Sequence, residues 1–162
     1  MKFLNYDSNT ELSVIKKIFA DYRQYLLDNK TSFPPDAFDF AFSDWHYNFS
    51  DHRCPHDSWV NSLQVLEVVK NSSRKDRELG IRVNLLGAYH DGEIEITYQS
   101  IKGYSFNLIP DDTKWRRHGD WLIDEIYLSE KGWLVHEIKF WLFGEWRIEC
   151  EDIKYEWLPF KK

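Results

Sequence analysis

The chain is poor in several of the features that assign a protein to a class at sight. It has two cysteines, Cys54 and Cys150, in 162 residues. They are too few for a disulfide framework. No apolar run of signal-peptide length follows the opening Met1-Lys2-Phe3-Leu4-Asn5-Tyr6-Asp7-Ser8, so reduced thiols in the cytoplasm are expected. No stretch approaches the ~20 apolar residues of a membrane-spanning helix. Glycine-rich phosphate signatures are missing, and no later helix-period segment separates the strands. A βαβ arrangement is thereby excluded, and with it the dinucleotide-binding and P-loop folds. Positive charge is scarce, because 21 Lys and Arg stand against 27 Asp and Glu and leave a net charge of −6. The longest basic patch is Lys114 to Arg117, with Trp115 inside it. Binding to a phosphate backbone needs a concentrated basic surface, so nucleic acid is not expected as a partner. Repeats of solenoid period are absent.

What is present is hydrophobic and aromatic. Residues of hydrophobic type make up 43% of the chain and aromatic ones 17%, including eight Trp, far from the composition that leaves chains disordered. One domain of this length buries a core without disulfides or metals as staples. Aromatic side chains at this density fill the interior of a β-rich fold or anchor an interface, and position must decide between the two.

The stretch from Gly119 to Leu158 alternates apolar and polar residues with a period of two, the signature of half-buried strands. Gly132 and Gly144 punctuate it. Leu134, Ile138, Phe140 and Leu142 share one face against Glu137 and Lys139, Trp146, Ile148 and Cys150 alternate with Arg147, Glu149 and Glu151, and the alternation resumes at Ile153, Tyr155 and Trp157. This reads as a β-meander. Earlier strands are expected over 60–69, 78–86 and 94–98 and around Tyr104, Phe106 and Leu108, with His90-Asp91-Gly92 as a hairpin turn and 71–76 as a polar connection.

One helix is expected over about 8–29, opened by a Ser8-x-x-Glu11 capping box and carrying Leu12, Ile15, Phe19, Tyr22 and Leu26 on one face. Its polar face mixes signs, which favours docking on a sheet over a membrane surface. Phe33-Pro34-Pro35 ends the helical region. The aromatics of 37–49 recur mostly at spacing two, so an extended segment across the core is expected there. The fold class is therefore α+β in a single domain, 1–162: an N-terminal amphipathic helix packed on a strongly bent, mainly antiparallel sheet or partly open barrel of about seven strands.

Candidate chemistry centres on histidines near acids: His56-Asp57, His90-Asp91, His118-Gly119-Asp120 and His136-Glu137. A carboxylate orients an imidazole and raises its basicity, so His56, Asp57, His90, Asp91 and His136 around one cleft would form a general acid–base site. Against this, three of the pairs fall at turns or strand entries, where Asp and His cap backbone groups, and adjacent strand residues such as His136 and Glu137 face opposite ways. The structural reading is preferred. His46, His52, Cys54 and His56 lack the paired spacing of a structural zinc site, so no metal and no cofactor is assigned. Neither neighbouring His establishes a lowered pKa for Cys54 as a nucleophile. Acids crowd the last strands at Glu149, Glu151, Asp152 and Glu156, with Asp124 and Glu125 expected nearby. Beside exposed Trp, such a face suits a basic protein partner.

Pro55-His56-Asp57-Ser58-Trp59, the run from Leu86 to Tyr98, Gly119 to Ile126, His136-Glu137-Ile138 and Trp146-Arg147-Ile148 together resemble a family of small uncharacterised bacterial proteins with a His-Asp-Ser motif. The likeness spans about 33–158. Some proteins of this size and style are immunity proteins of bacterial polymorphic toxin systems. The resemblance therefore implies an inhibitor that binds a toxin, and it carries over no catalytic residue. The alternative is a small hydrolase or ligand-binding domain using the His/Asp cluster, and the oligomeric state is left open.

Overall fold

A computed structural model describes residues 1–69, 77–108, 118–141 and 144–161. The expected connection at 71–76, the turn at Pro110-Asp111-Asp112, the basic patch at 114–117 and Leu142 lie outside them. Among the described residues, two α-helices, α1 (Leu12–Asp28) and α2 (Pro35–Phe42), precede eight strands: β1 (Trp59–Val69), β2 (Arg77–Leu86), β3 (Gly92–Gln99), β4 (Gly103–Asn107), β5 (Trp121–Leu128), β6 (Leu134–Phe140), β7 (Glu145–Cys150) and β8 (Asp152–Pro159). The fold is α+β with antiparallel pairing throughout.

The strands form two sheets, ordered β1-β2-β3-β8 and β4-β7-β6-β5. The expected meander is thus broken after β7, since β8 leaves it and pairs with β3. The cause is a bend shared by two consecutive strand pairs. Gln99 pairs with Asp152 and Gly103 with Glu149. Between these pairs, Glu151 N–H donates to Gln99 O at 3.0 Å and Lys102 N–H to Glu149 O at 2.7 Å. A continuous two-stranded ribbon therefore turns the corner, with Ser100 at φ 52° as its hinge. At the opposite corner Asp57 N–H donates to Trp121 O and Trp121 N–H to Ser58 O, at 2.9 and 3.0 Å, joining the starts of β1 and β5. The sheets do not close into a barrel.

Inward-facing residues at alternate positions, Ile81, Val83 and Leu85 on β2, Ile94, Ile96 and Tyr98 on β3 and Leu134, Ile138 and Phe140 on β6, form the core. Helix α1 starts at Leu12, four residues later than expected, because no capping box forms. Glu11 occupies the N-cap position without a side-chain cap to the helix backbone, and Asp7 and Thr10 bond each other instead. Tyr22 and Leu26 are buried, whereas Leu12 at the open end is exposed.

The segment expected to be extended contains α2. Pro35 sits in its first turn, where the fixed φ of proline assists initiation and the missing N–H costs nothing. Ala37, Phe38, Phe40 and Ala41 are all buried, and a helix enclosed on most sides loses the one-sided pattern that betrays it in sequence. Its Phe40 ring stacks on Tyr155 of β8 at 4.8 Å.

The free edge of β5 is covered by tyrosines. The Tyr22 hydroxyl donates to Ile126 O at 2.9 Å and accepts from Ile126 N–H at 2.8 Å. Tyr47 donates to Asp124 O at 3.0 Å, and Tyr25 accepts from Leu128 N–H at 2.9 Å. Residues 124, 126 and 128 are those whose backbone groups share one side of the strand, and hydroxyls stand where a neighbouring strand would.

Candidate functional site

One set of ionisable groups converges inside the molecule. Asp124 on β5 and His136 on β6 face inward from neighbouring strands, and the loop after α2 brings in His46. All three are at most 2% exposed. His46 Nε2 and His136 Nε2 both meet Asp124 Oδ2, at 2.8 and 2.9 Å, and Trp121 Nε1 donates to Oδ1 at 2.9 Å. Beyond the carboxylate, His46 Nδ1 lies 3.0 Å from Phe40 O and His136 Nδ1 lies 2.9 Å from the Tyr98 hydroxyl.

These partners constrain the proton positions. A carbonyl oxygen only accepts, so His46 Nδ1 carries a proton, and its Nε2 must share another with the carboxylate. His136 Nε2 likewise donates to the carboxylate, and its Nδ1 shares a hydrogen bond with the Tyr98 hydroxyl. Burial alone would raise the Asp124 carboxyl pKa. The charge on His46, with hydrogen bonds from both histidines and the charge of His136, overrides that and holds it well below the usual carboxylate range. The result is a sealed His46–Asp124 ion pair extended by His136 and Tyr98. Burial lifts the Tyr98 hydroxyl pKa well above normal, so it stays protonated. Phe40 stacks on His46 at 4.5 Å, and nothing in this chain of bonds opens to solvent.

The sequence-derived candidates are dispersed. His56 is held by Leu122 O at 2.7 Å through Nδ1 and stacks on Phe49 at 3.8 Å. Asp57 adopts a left-handed turn at φ 62°, with its carboxylate 3.5 Å from His56 Nε2. His90 is also left-handed, at φ 55°, and packs edge-on to Trp59. Asp91 pairs with His52 at 2.6 Å instead of with His90. His136 joins Asp124 instead of Glu137, because residues 136 and 137 face opposite sides of β6. A single cleft holding His56, Asp57, His90, Asp91 and His136 is therefore not formed. His118 packs on Trp146 and Phe140, where burial lowers its pKa.

His46, His52, Cys54 and His56 go to four different partners. The Cys54 thiol donates to His46 O at 2.9 Å, and burial pushes its pKa up to about 12, which leaves no thiolate for attack or ligation near neutrality. Among the described residues no group of three or more His, Cys, Asp and Glu is arranged to hold a metal ion. No helix among them is long and apolar enough to cross a membrane.

Of the acids expected to face a partner, Asp124 and Glu125 are corrected to interior positions. Asp124 belongs to the sealed network. Glu125 points to the other face of β5, where its carboxylate accepts the backbone N–H groups of Lys2, Phe3 and Leu4, the last two at 2.9 and 2.7 Å. Glu137, opposite Glu125 in register, is neutralised by the Met1 ammonium at 3.0 Å. Glu149 is half-buried beside Arg147 at 3.4 Å, and Glu151 meets Lys102 at 2.6 Å. Asp152 bonds the Ile153 N–H, while Glu156 is exposed on β8.

No protein-family model matches the chain, and no curated protein matches it. The residues that sequence reasoning missed are Tyr98, Tyr47, Trp121 and the role of His46. One signal was available for His136: it shares the even-numbered face with Leu134, Ile138 and Phe140, which places it in the core, where an imidazole needs partners.

Proposed function

We propose that this protein acts by binding, as a cytoplasmic inhibitor of a basic protein, in the manner of an immunity protein directed against a bacterial toxin. The observation that supports this most is the division of its ionisable groups. The His46, Asp124 and His136 side chains, which would be the catalytic candidates, are buried and satisfied by one another and by Trp121 and Tyr98. The remaining charges keep an acidic surplus, in a chain of net charge −6. An acidic surface speeds approach of a basic partner and suppresses wrong ones.

The test is affinity capture with the tagged protein from cells that express it, followed by mass spectrometry and an activity assay of whatever is captured in stoichiometric amount. The expected outcome is a single basic protein whose growth-arresting activity the purified chain abolishes. Capture of no stoichiometric partner, or of one whose activity persists in the complex, would sink the reading.

A further inference from the structure

Between α2 and the outer edge of β8 lies an open cleft of about 420 Å³. Its apolar wall is aromatic. Phe40 stacks on Tyr155 at 4.8 Å, and Trp45 packs on Tyr155 at 4.5 Å. Its polar wall is acidic, with Asp36, Asp39, Glu95 and Glu156 facing one ammonium group, Lys154, which lies 3.6 Å from Asp36.

The register makes this charge unusual. Glu95 on β3 and Glu156 on β8 are directly opposite each other, and like charges at opposed positions of an antiparallel pair destabilise it. The fold contains a second such pair, Glu125 opposite Glu137, and there it supplies the countercharge itself, with backbone N–H groups on one carboxylate and an ammonium group on the other. In the cleft, Arg82 approaches Glu95 at 3.7 Å. Neither Glu156 nor Asp39 forms an ion pair among the described residues, so the cleft keeps a negative surplus beside the partly exposed rings of Trp45 and Tyr155. The chain itself shows what those rings accept, because the Arg53 guanidinium lies 5.5 Å from the Trp45 ring centre.

We propose that the cleft between α2 and β8 seats an arginine side chain from a basic segment of the protein partner. The inference rests on the binding reading above and adds the place and the chemistry of recognition. A guanidinium suits the cleft better than an ammonium group, because its plane lies flat on an aromatic ring while its fork of N–H donors reaches two carboxylates at once. Glu156 and Asp39 supply the acceptors, and Trp45 and Tyr155 the stacking faces.

The test uses a fluorescein-labelled nonapeptide with three arginines among Gly and Ser, titrated by anisotropy in 150 mM salt. A matched peptide carries citrulline, the neutral isostere, at the same positions. Two double variants remove equal charge: Asp39→Asn with Glu156→Gln in the cleft, and Glu130→Gln in the β5–β6 turn with Glu145→Gln on β7, with thermal melts to verify that both fold. The expected result is at least tenfold weaker binding of the citrulline peptide, and a loss of at least tenfold for the cleft variant. The control variant should bind within twofold of the unaltered protein. Equal losses for the two variants, equal binding of the two peptides, or no binding of the arginine peptide would overturn the proposal. Affinity capture separates the levels: a stoichiometric basic partner retained equally by the cleft variant leaves the binding reading standing and places its contacts elsewhere.

Discussion

At the scale of single residues, the consequence of altering Asp124 follows from what would remain behind. Asp124→Asn leaves the His46 charge buried without a counter-ion. Breaking a buried pair from one side costs about 3–5 kcal/mol, a large part of the ~5–15 kcal/mol that holds a domain folded. Urea unfolding followed by Trp fluorescence should show that loss. A variant within 1 kcal/mol of the unaltered protein would mean that His46 is neutral and the contact is not ionic. The thiols give a second outcome. Cys54 and Cys150 are buried and each is pushed up to about 12 by burial. An aromatic disulfide reagent at pH 8 should therefore label neither in the native protein and both in 6 M guanidinium. Prompt native labelling would contradict the packing around them.

At the scale of elements, the edge of β5 depends on hydroxyl groups that a sequence reader takes for core aromatics. Tyr22→Phe keeps the ring and strands the N–H and C=O of Ile126 in a dry environment. A buried polar group left unpaired costs about 1–3 kcal/mol, and hydrogen exchange at Ile126 should accelerate more than at the β6 centre. At the start of α1, the uncapped Glu11 is an opening for improvement. Glu11→Ser should raise the melting temperature through a gain of about 1 kcal/mol.

The same elements explain what was legible in advance. Strands β3 and β7 and the second half of β2 were readable because each buries one face and so alternates, whereas α2 was not, because burial on most sides erases the helical period. The Asp124 network joins α2's loop to β3, β5 and β6, from residue 46 to residue 136, and local spacing contains no information about such a meeting.

At the scale of the whole molecule, the ionisable interior sets the response to pH. Asp124 is held below its ordinary range in the folded state, while its unfolded counterpart takes up a proton near pH 4. The unfolded chain thus binds more protons below that pH, so the Asp124 contribution is present above about pH 4 and is lost on acidification. The thiols have the opposite sign. Raised in the folded state, Cys54 and Cys150 stabilise fully below about pH 8.5, and this contribution is lost as pH climbs from there toward 12. Melting temperatures from pH 3 to 11 should form a plateau with both flanks, and Cys54→Ala should soften the alkaline one. A flank that rises toward acid would contradict the ion pair.

The ribbon that turns the corner between the sheets also imposes an order on assembly. Gly92 of β3 pairs with Pro159, and Asn107 of β4 with Glu145, so each sheet waits for a strand made much later. A growing chain on the ribosome would carry β1, β2 and β3 with a bare flank until β8 emerges. Long-range closure of this kind slows folding and prolongs the exposure of unpaired strands. A shielding chaperone during synthesis should therefore raise the yield of native protein more than any change made after release.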